Sequence, residues 1–448
     1  MKKVLALFLI LVFILSACNA SSGNKNKETS ENMNSSQPLN TNRTWPVVSG
    51  TFMQPGSFMN YSVTNWETHF NNLLEVGVDI FIIQWTSETP YGKFKSCYYP
   101  SKYVADNKID GYFDGSALLE KVLQAAEKTG VKVFIGLNLS DEWWNIAATQ
   151  NDWCGMQSDL GIKMAQEIYT LYKAKYPNAV HGWYFAWEMY NGMGNNYKAA
   201  ADFLNGYLDP LTLLDSSMPL MLSPFVRTHG GTAEEAGNEW AEIFKLTNFR
   251  DGDIFCCQDA VGAGWIEIDQ LDSYFKNLKR ACDTKPGLKF WANSENFTLD
   301  SQSAELGRFI KQMKIAQPYV EGYVTFAYSH YYSKDYLDKA PYHNAYKYYY
   351  ESGCSEVTIK QPEIRESVND NYTRIFITVF QTGFGLKSMT ITEGEKILRE
   401  YSFSKKPTDK QSLELMYTFN HSDNIKNITI TLTDYFGASI SLDHTLNK

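Results

Sequence analysis

Missing from this sequence are the short signatures that accompany most metal and cofactor chemistry. Its seven histidines never form the close pairs of a metal-dependent hydrolase. Its seven cysteines show no zinc spacing, and the adjacent Cys256 and Cys257 have no CxxC partner. There is no GxGxxG turn, no phosphate loop and no GxSxG elbow. No metal and no cofactor is therefore expected. Basic residues are in deficit too, with 41 Lys and Arg against 50 Asp and Glu and a net charge of -9. Loss of a leader carrying Lys2 and Lys3 would take the mature chain to about -11 (-9 minus 2). That balance excludes nucleic acid, which needs a basic footprint. The apolar run Val4–Leu15 is too short to span a bilayer as a stable helix.

What is abundant is apolar and aromatic side chain. The 448 residues are 44% hydrophobic and 20% charged, the balance of a globular protein with a large core. Aromatics reach 15%, with 11 Trp and 29 Tyr. Aromatic faces on a polar-rimmed surface suit sugar rings, and a tyrosine-rich core is the other reading. The start reads as an export signal. Lys2 and Lys3 precede the apolar run, and Ser16 and Ala17 precede Cys18. The run "LSAC" resembles a bacterial lipobox, a likeness that implies removal of residues 1–17 and acylation of Cys18. Residues 18–44 are mostly Asn, Ser, Lys and Thr, a disordered tether with an end-to-end distance of roughly 25–30 Å. Lipidation leaves six cysteines, which an exported location allows to pair or to remain buried thiols.

From residue 45 a period sets in. Strand-length apolar runs recur at 47–52, 79–84, 131–137, 180–187, 219–223, 253–258, 288–294 and 321–327. They are continuous rather than alternating, as in strands covered on both faces. Helical stretches separate them. "TNWETHFNNLLEVG" opens on a Thr64–Glu67 capping box, "SALLEKVLQAAEKTG" closes on Gly130, and "DLGIKMAQEIYTLYKAKYP" runs to Pro177. Others read at 196–214, 234–248, 267–282 and 301–316, with a weaker Tyr-rich one at 342–351. Eight strand–helix units over 45–352 fit an α/β fold, a (β/α)8 TIM barrel; a doubly wound sheet is the competitor. The connection Trp85–Phe113 reads as the longest irregular loop, on the C-terminal face of the barrel.

After Cys354 the pattern becomes seven short strands, with a Glu393–Gly394 turn joining two of them. Residues 355–448 are expected to form an immunoglobulin or fibronectin-III-like β-sandwich without the antibody-type disulfide. Packing on the barrel or spacing it is the preferred role, and carbohydrate binding the alternative.

In such a barrel the strand ends face the active site. Here they read Gln54, Gln84/Trp85, Asn138, Glu188, Ser223, Gln258/Asp259, Glu295 and Tyr328/His330, flanked by Trp143, Trp144, Tyr190, Trp265, Tyr331 and Tyr332. "VHGWYFAWE" carries a buried-strand pattern straight into Glu188, and a buried charge is costly unless paired or used. Two carboxylates across one cleft divide the work of breaking a glycosidic bond: one donates a proton, the other attacks or activates water. Glu188 and Glu295 are the catalytic candidates. Gln54, Trp85, Asn138, Trp143, Tyr190, Gln258, Asp259, Trp265, Tyr328 and His330 are the substrate-binding candidates. For Asp259 three roles stay open: positioning substrate, replacing Glu295, or capping the next loop. Of Trp143 and Trp144, one is expected to stack on sugar while the other packs inward.

Glutamates ending strands four and seven resemble the large clan of retaining glycoside hydrolases built on this barrel. That likeness implies Glu188 as acid/base and Glu295 as nucleophile. The clan usually has Asn before its acid/base; here Trp187 stands there. "GWYFAWE", "QDAVGAG", "WANSENF" and "YSHYY" resemble, over residues 45–352, an uncharacterised family of bacterial lipoproteins with a glycosidase-like barrel. The leading expectation is an exported, lipid-anchored glycoside hydrolase acting on a poly- or oligosaccharide. The alternatives are a non-catalytic glycan-binding lipoprotein using the same cleft, and an envelope scaffold with a vestigial barrel.

Overall fold

The computed structural model describes residues 43–146, 150–193, 196–336, 339–355, 358–380, 386–403 and 412–447. The signal segment 1–17, Cys18 and the tether up to residue 42 lie outside them. Arg43 and Thr44, expected to be tether, already belong to the folded unit. The Arg43 guanidinium sits 3.9 Å from the Tyr350 ring centre, and the Thr44 carbonyl accepts from Gln317 Nε2 at 2.9 Å.

The chain runs β1 (Gly50–Met53), α1 (Val63–Leu74), β2 (Ile80–Ile83), β3 (Ser87–Glu88), β4 (Phe94–Cys97), α2 (Val104–Asn107) and β5 (Lys108–Asp114). Next come α3 (Leu118–Thr129), β6 (Lys132–Gly136), β7 (Asn138–Leu139), α4 (Trp143–Ile146), α5 (Asn151–Ile168), β8 (Val180–Phe185), α6 (Tyr197–Leu214) and β9 (Leu220–Leu222). Then follow α7 (Ala233–Leu246), β10 (Ile254–Gln258), α8 (Leu271–Cys282), β11 (Lys289–Asn293), α9 (Leu306–Ala316), β12 (Gly322–Thr325), α10 (Tyr328–Tyr331) and α11 (Ala340–Ser352). Eight of these strands close a parallel barrel in the order β1-β12-β11-β10-β9-β8-β6-β2.

The continuous apolar runs have a simple cause. Alternate residues of each strand serve two different cores. Phe52, Ile80, Ile82, Phe134, Tyr184, Met221, Ile254, Cys256 and Val324 fill the barrel interior. Their neighbours Phe81, Ile83, Val133, Ile135, Trp183, Phe185 and Phe255 pack outward under the helices. Both faces are dry, so neither is polar.

Local chemistry sets the helix ends. Ser62, not Thr64, caps α1: its hydroxyl accepts from the Asn65 N–H, and the Asn65 side chain accepts from the Ser62 N–H. The true box lies two residues earlier than the one expected from Thr64 and Glu67. Gly130 ends α3 in the left-handed region at φ 84°. The segment 85–113 is not irregular. Strands β5, β4, β3 and β7 form a second, four-stranded sheet in that order beside the barrel mouth. None of the six described cysteines is in a disulfide, and five of them are buried.

Seven antiparallel strands complete the chain: β13 (Glu363–Val368), β14 (Tyr372–Phe380), β15 (Leu386–Glu393), β16 (Lys396–Ser402), β17 (Ser412–Asn420), β18 (Asn427–Asp434) and β19 (Ser439–Thr445). They form sheets β13-β14-β17 and β16-β15-β18-β19. Ile375, Ile377 and Val379 meet Met389, Ile391, Ile430 and Leu432 in the core between them. This three-plus-four arrangement is an immunoglobulin/fibronectin-III-like sandwich. It docks on the barrel. The Tyr435 and Phe436 carbonyls accept from the N–H groups of Leu306 and Gly307, each at 3.0 Å, capping α9 from outside its own sequence.

Candidate active site

The strand-end ring separates into residues that face the barrel mouth and residues that brace it from behind. Glu188 faces the mouth. Past β8 the alternation continues: Ala186 points inward, Trp187 outward, Glu188 inward. Trp187 is buried, and its Nε1 donates to the Tyr207 hydroxyl at 2.9 Å, among Trp143, Trp153 and Phe203. The tryptophan before Glu188 is thus packing that fixes the strand end. The Glu188 side chain meets two amides. Gln84 Nε2 donates to Oε1 at 3.4 Å, and the Gln258 side chain also hydrogen-bonds the carboxylate. Burial dominates, and the carboxyl pKa is pushed up to about 7, with the Gln258 bond pulling the other way.

The floor around Glu188 is polar and incompletely paired. Gln258 Nε2 donates to the Ser223 carbonyl at 2.8 Å, and Asn293 Nδ2 to the Ser223 hydroxyl at 3.0 Å. Gln84 Oε1 and Asn293 Oδ1 are buried with no hydrogen-bond partner. Buried orphan acceptors are rare in native interiors; of these two, Gln84 Oε1 belongs to the amide that donates to Glu188.

Glu295 sits at the end of β11 beneath the turn after β10. Its Oε2 accepts from the Ala263 N–H at 2.8 Å, and the residue is only 2% exposed. Gly262 makes the close approach possible, because a Cβ there would stand 2.9 Å from Oε2. Asp259 is buried beside it. Asp259 Oδ2 accepts from Gln312 Nε2 at 2.5 Å and from the Glu295 N–H at 3.3 Å, and Oδ1 accepts from the Val261 N–H at 3.3 Å. Burial raises both carboxyl groups above the usual range, and the Asp259 charge raises Glu295 further. Two such neighbours titrate as a pair, because the first charge opposes the second. Arg308 and Gln312, both on α9, donate to the Glu295 carbonyl at 3.3 and 3.1 Å.

Aromatic rings line the mouth beyond β8, β9 and β10. Tyr190 and Phe225 lie 5.3 Å apart, and Phe225 stacks on Trp265 at 6.1 Å. Tyr190 bridges Phe225, and Phe225 bridges Gln258, so the rings continue the strands that carry Glu188 and Gln258. Arg227 lies 4.0 Å over the Tyr190 ring. Opposite them, His330 Nε2 accepts from the Gln54 N–H at 3.2 Å, and burial holds that imidazole neutral, its pKa lowered to about 3.

Several expectations need correction. Asn138 does not reach the mouth: its amide is consumed by Gln157 Oε1 at 2.8 Å and by the Tyr207 hydroxyl at 2.9 Å, behind the barrel. Trp143 is fully buried, and Trp144, 38% exposed, is the outward member of that pair. Tyr328 is buried in the helical layer, its hydroxyl 3.0 Å from His343 Nδ1. Asp259 takes the loop-capping role through Val261 and has no exposed surface. Gln54, Trp85, Tyr190, Gln258, Trp265 and His330 are partly exposed beside Glu188's end of the barrel. Sequence reasoning missed Phe225, Arg227, Asn293, Arg308 and Gln312. The first two lie just past a strand end and were within reach of a longer window; Arg308 and Gln312 carry no local signal, since only helix docking brings them to Glu295.

Comparison with known proteins gives the following. Residues 48–338 match the family described as domain of unknown function DUF4434. No curated protein matches. Among solved structures, a candidate alpha-L-fucosidase from Bacteroides thetaiotaomicron is 22% identical, with a TM-score of 0.58 over 73% of this chain and 99% of that one. An endo-beta-1,4-mannanase from Thermotoga petrophila is 10% identical, with a TM-score of 0.45 over 90% and 97%. The first likeness establishes a shared fold. With the family match spanning well over half its length, the chain belongs to the DUF4434 family.

Proposed function

We propose that this protein is a glycoside hydrolase acting on a poly- or oligosaccharide, with Glu188 as the proton donor. One observation carries the reading: an inward carboxyl group with a pKa near 7, held by the Gln84 and Gln258 side chains in a floor with unpaired acceptors. A general acid works best when its pKa lies near the working pH. Burial supplies that shift, and the two amides hold the group in either protonation state. Aromatic rings beside it suit the C–H faces of sugars.

Glu295 is the second carboxyl group of this reading, and retention of configuration is what the resemblance to the retaining clan, with its glutamates at strands four and seven, implies. As nucleophile it must be ionised. The N–H of Ala263 favours that form, and Asp259 opposes it. A positive oxocarbenium-like charge developing beside Glu295 would further favour its carboxylate over the neutral acid. Anchoring through Cys18 is part of the proposal and rests on Lys2, Lys3, the Val4–Leu15 run and the lipobox-like "LSAC".

A second reading is non-catalytic glycan binding in the same cleft. It is favoured by the cover over Glu295, whose carboxylate already serves the Ala263 N–H. A panel of polysaccharides and aryl glycosides incubated with the protein, Glu188→Gln and Glu295→Gln separates the two. Turnover lost in both variants supports hydrolysis. Turnover that persists in both removes the assignment, and binding without turnover at any pH supports the second reading.

A further inference from the structure

A cavity of about 180 Å³ opens beside the second sheet, lined by Glu88, Pro90, Tyr91, Lys95, Asp141 and Glu142 among others. Glu188 does not line it, but the loops that do are tied through the chain to the Glu188 strand end. Glu88 follows Gln84 by four residues, and Asp141 and Glu142 immediately precede Trp143, whose Nε1 donates to the Glu188 carbonyl. Pairing of β3 with β7 brings the two loops together. Tyr91 stands on the rim, 78% exposed. A single exposed aromatic needs no special cause. Tyr91 differs because its position is imposed. Its φ is 51°, in the left-handed region that side chains avoid, and its N–H is held by Glu142 Oε2 at 3.0 Å. Glu142 is itself fixed by Trp153 Nε1 at 3.0 Å and the Ser140 hydroxyl at 3.2 Å.

We infer that Tyr91 and this cavity form an accessory subsite for one neutral or amino sugar ring of the glycan whose bond is cleaved at Glu188, an inference that rests on the glycan reading above. The chemistry selects the class. The volume is roughly that of six waters, room for one ring rather than a chain. An aromatic face takes the C–H face of a sugar, and carboxylate oxygens accept from its hydroxyls or ammonium. Glu88, Asp141 and Glu142 outnumber Lys95, which is already engaged by Glu88 Oε1 at 3.3 Å. A uronate or sulfated ring would meet like charge. A protein partner fits less well, because one ring beside a cavity of this size offers little area to bury.

The test uses the full chain carrying Glu188→Gln, so that binding is read without turnover. Affinity gel electrophoresis against β-mannan, xylan, β-glucan, chitosan and polygalacturonate gives a dissociation constant for each. At least one neutral or amino polysaccharide is expected to bind. Adding Tyr91→Ala should weaken that binding about fivefold or more, while Tyr91→Phe, which keeps the face, retains it. Binding unchanged within about twofold in Tyr91→Ala overturns the subsite, as does binding of none of the five; Tyr91-dependent binding of polygalacturonate overturns the sugar class. Hydrolysis by the parent protein that ignores Tyr91 sinks the subsite and leaves the hydrolase standing. Tyr91-dependent binding without turnover does the reverse.

Discussion

The indole N–H of Trp143 donates to the main-chain carbonyl of Glu188 at 2.9 Å. The loop after the third barrel strand therefore fixes the backbone of the fourth strand's end. The carbonyl is buried, so losing its donor leaves an acceptor unsatisfied. Trp143→Phe should cost about 1–3 kcal/mol of stability by denaturant unfolding. It should also lower kcat on any substrate found, with KM little changed, because Glu188 is displaced rather than the binding surface. An unchanged kcat in a folded variant would show that this bond does not position Glu188.

Glu188 also ties stability to pH. Its folded pKa, about 7, lies above the ordinary glutamate value of 4.5. Between those values the unfolded chain releases a proton that the folded chain keeps, so the fold loses stability as pH rises through that window. Glu188→Gln removes this cost. The variant should match the parent at pH 4.5 and exceed it at pH 8, by on the order of 2–3 kcal/mol. Thermal unfolding at the two pH values reads the difference. A gain equal at both would mean that the carboxyl group is not held protonated by burial.

Gln258 tunes the same group in the opposite direction. Its hydrogen bond favours the carboxylate and lowers the pKa. Gln258→Leu should therefore move the alkaline limb of the pH–rate profile upward, the limb on which a proton donor is lost. A limb that stays in place or moves down contradicts the assignment of that limb to Glu188.

The sandwich is tied through α9 to the layer behind Glu295. Its hairpin carbonyls at Tyr435 and Phe436 cap the helix that carries Arg308 and Gln312, the residues holding the Glu295 carbonyl. A Cβ at Gly307 would stand 2.3 Å from the Phe436 carbonyl oxygen. Gly307→Ala should therefore loosen both domains together, lowering the midpoint of a single calorimetric transition. Two transitions in the parent, only one of them shifted, would mean that the domains are independent.

Much of this architecture was legible in the chain. Seven of the eight barrel strands lie within the runs read from sequence and β1 passes its run by one residue, Met53, because each apolar run marks a strand with covered faces; after Cys354 the expected seven strands form, with less exact bounds. The alternation that sends Trp187 out and Glu188 in follows from the same period. What was not legible depends on docking. Asn138 and Tyr328 follow barrel strands as Glu188 does, yet Tyr207 on α6 and His343 on α11 claim them. Residues 85–113 show no period because β3 and β4 have only two and four residues, and the longer β5 is largely exposed and carries no apolar run. Glu295 was found by position, but its pairing with Asp259 needed the turn at Gly262 to fold over it.

The central claim is that Glu188 donates the proton that breaks a glycosidic bond. Its most direct test is the rate of glycan hydrolysis by Glu188→Gln beside the parent protein, measured at pH 6 on the best substrate of the panel. A fall of about 10²-fold to 10⁴-fold, in a variant that still binds the glycan, is the result this account predicts. Hydrolysis at a rate near that of the parent would contradict it.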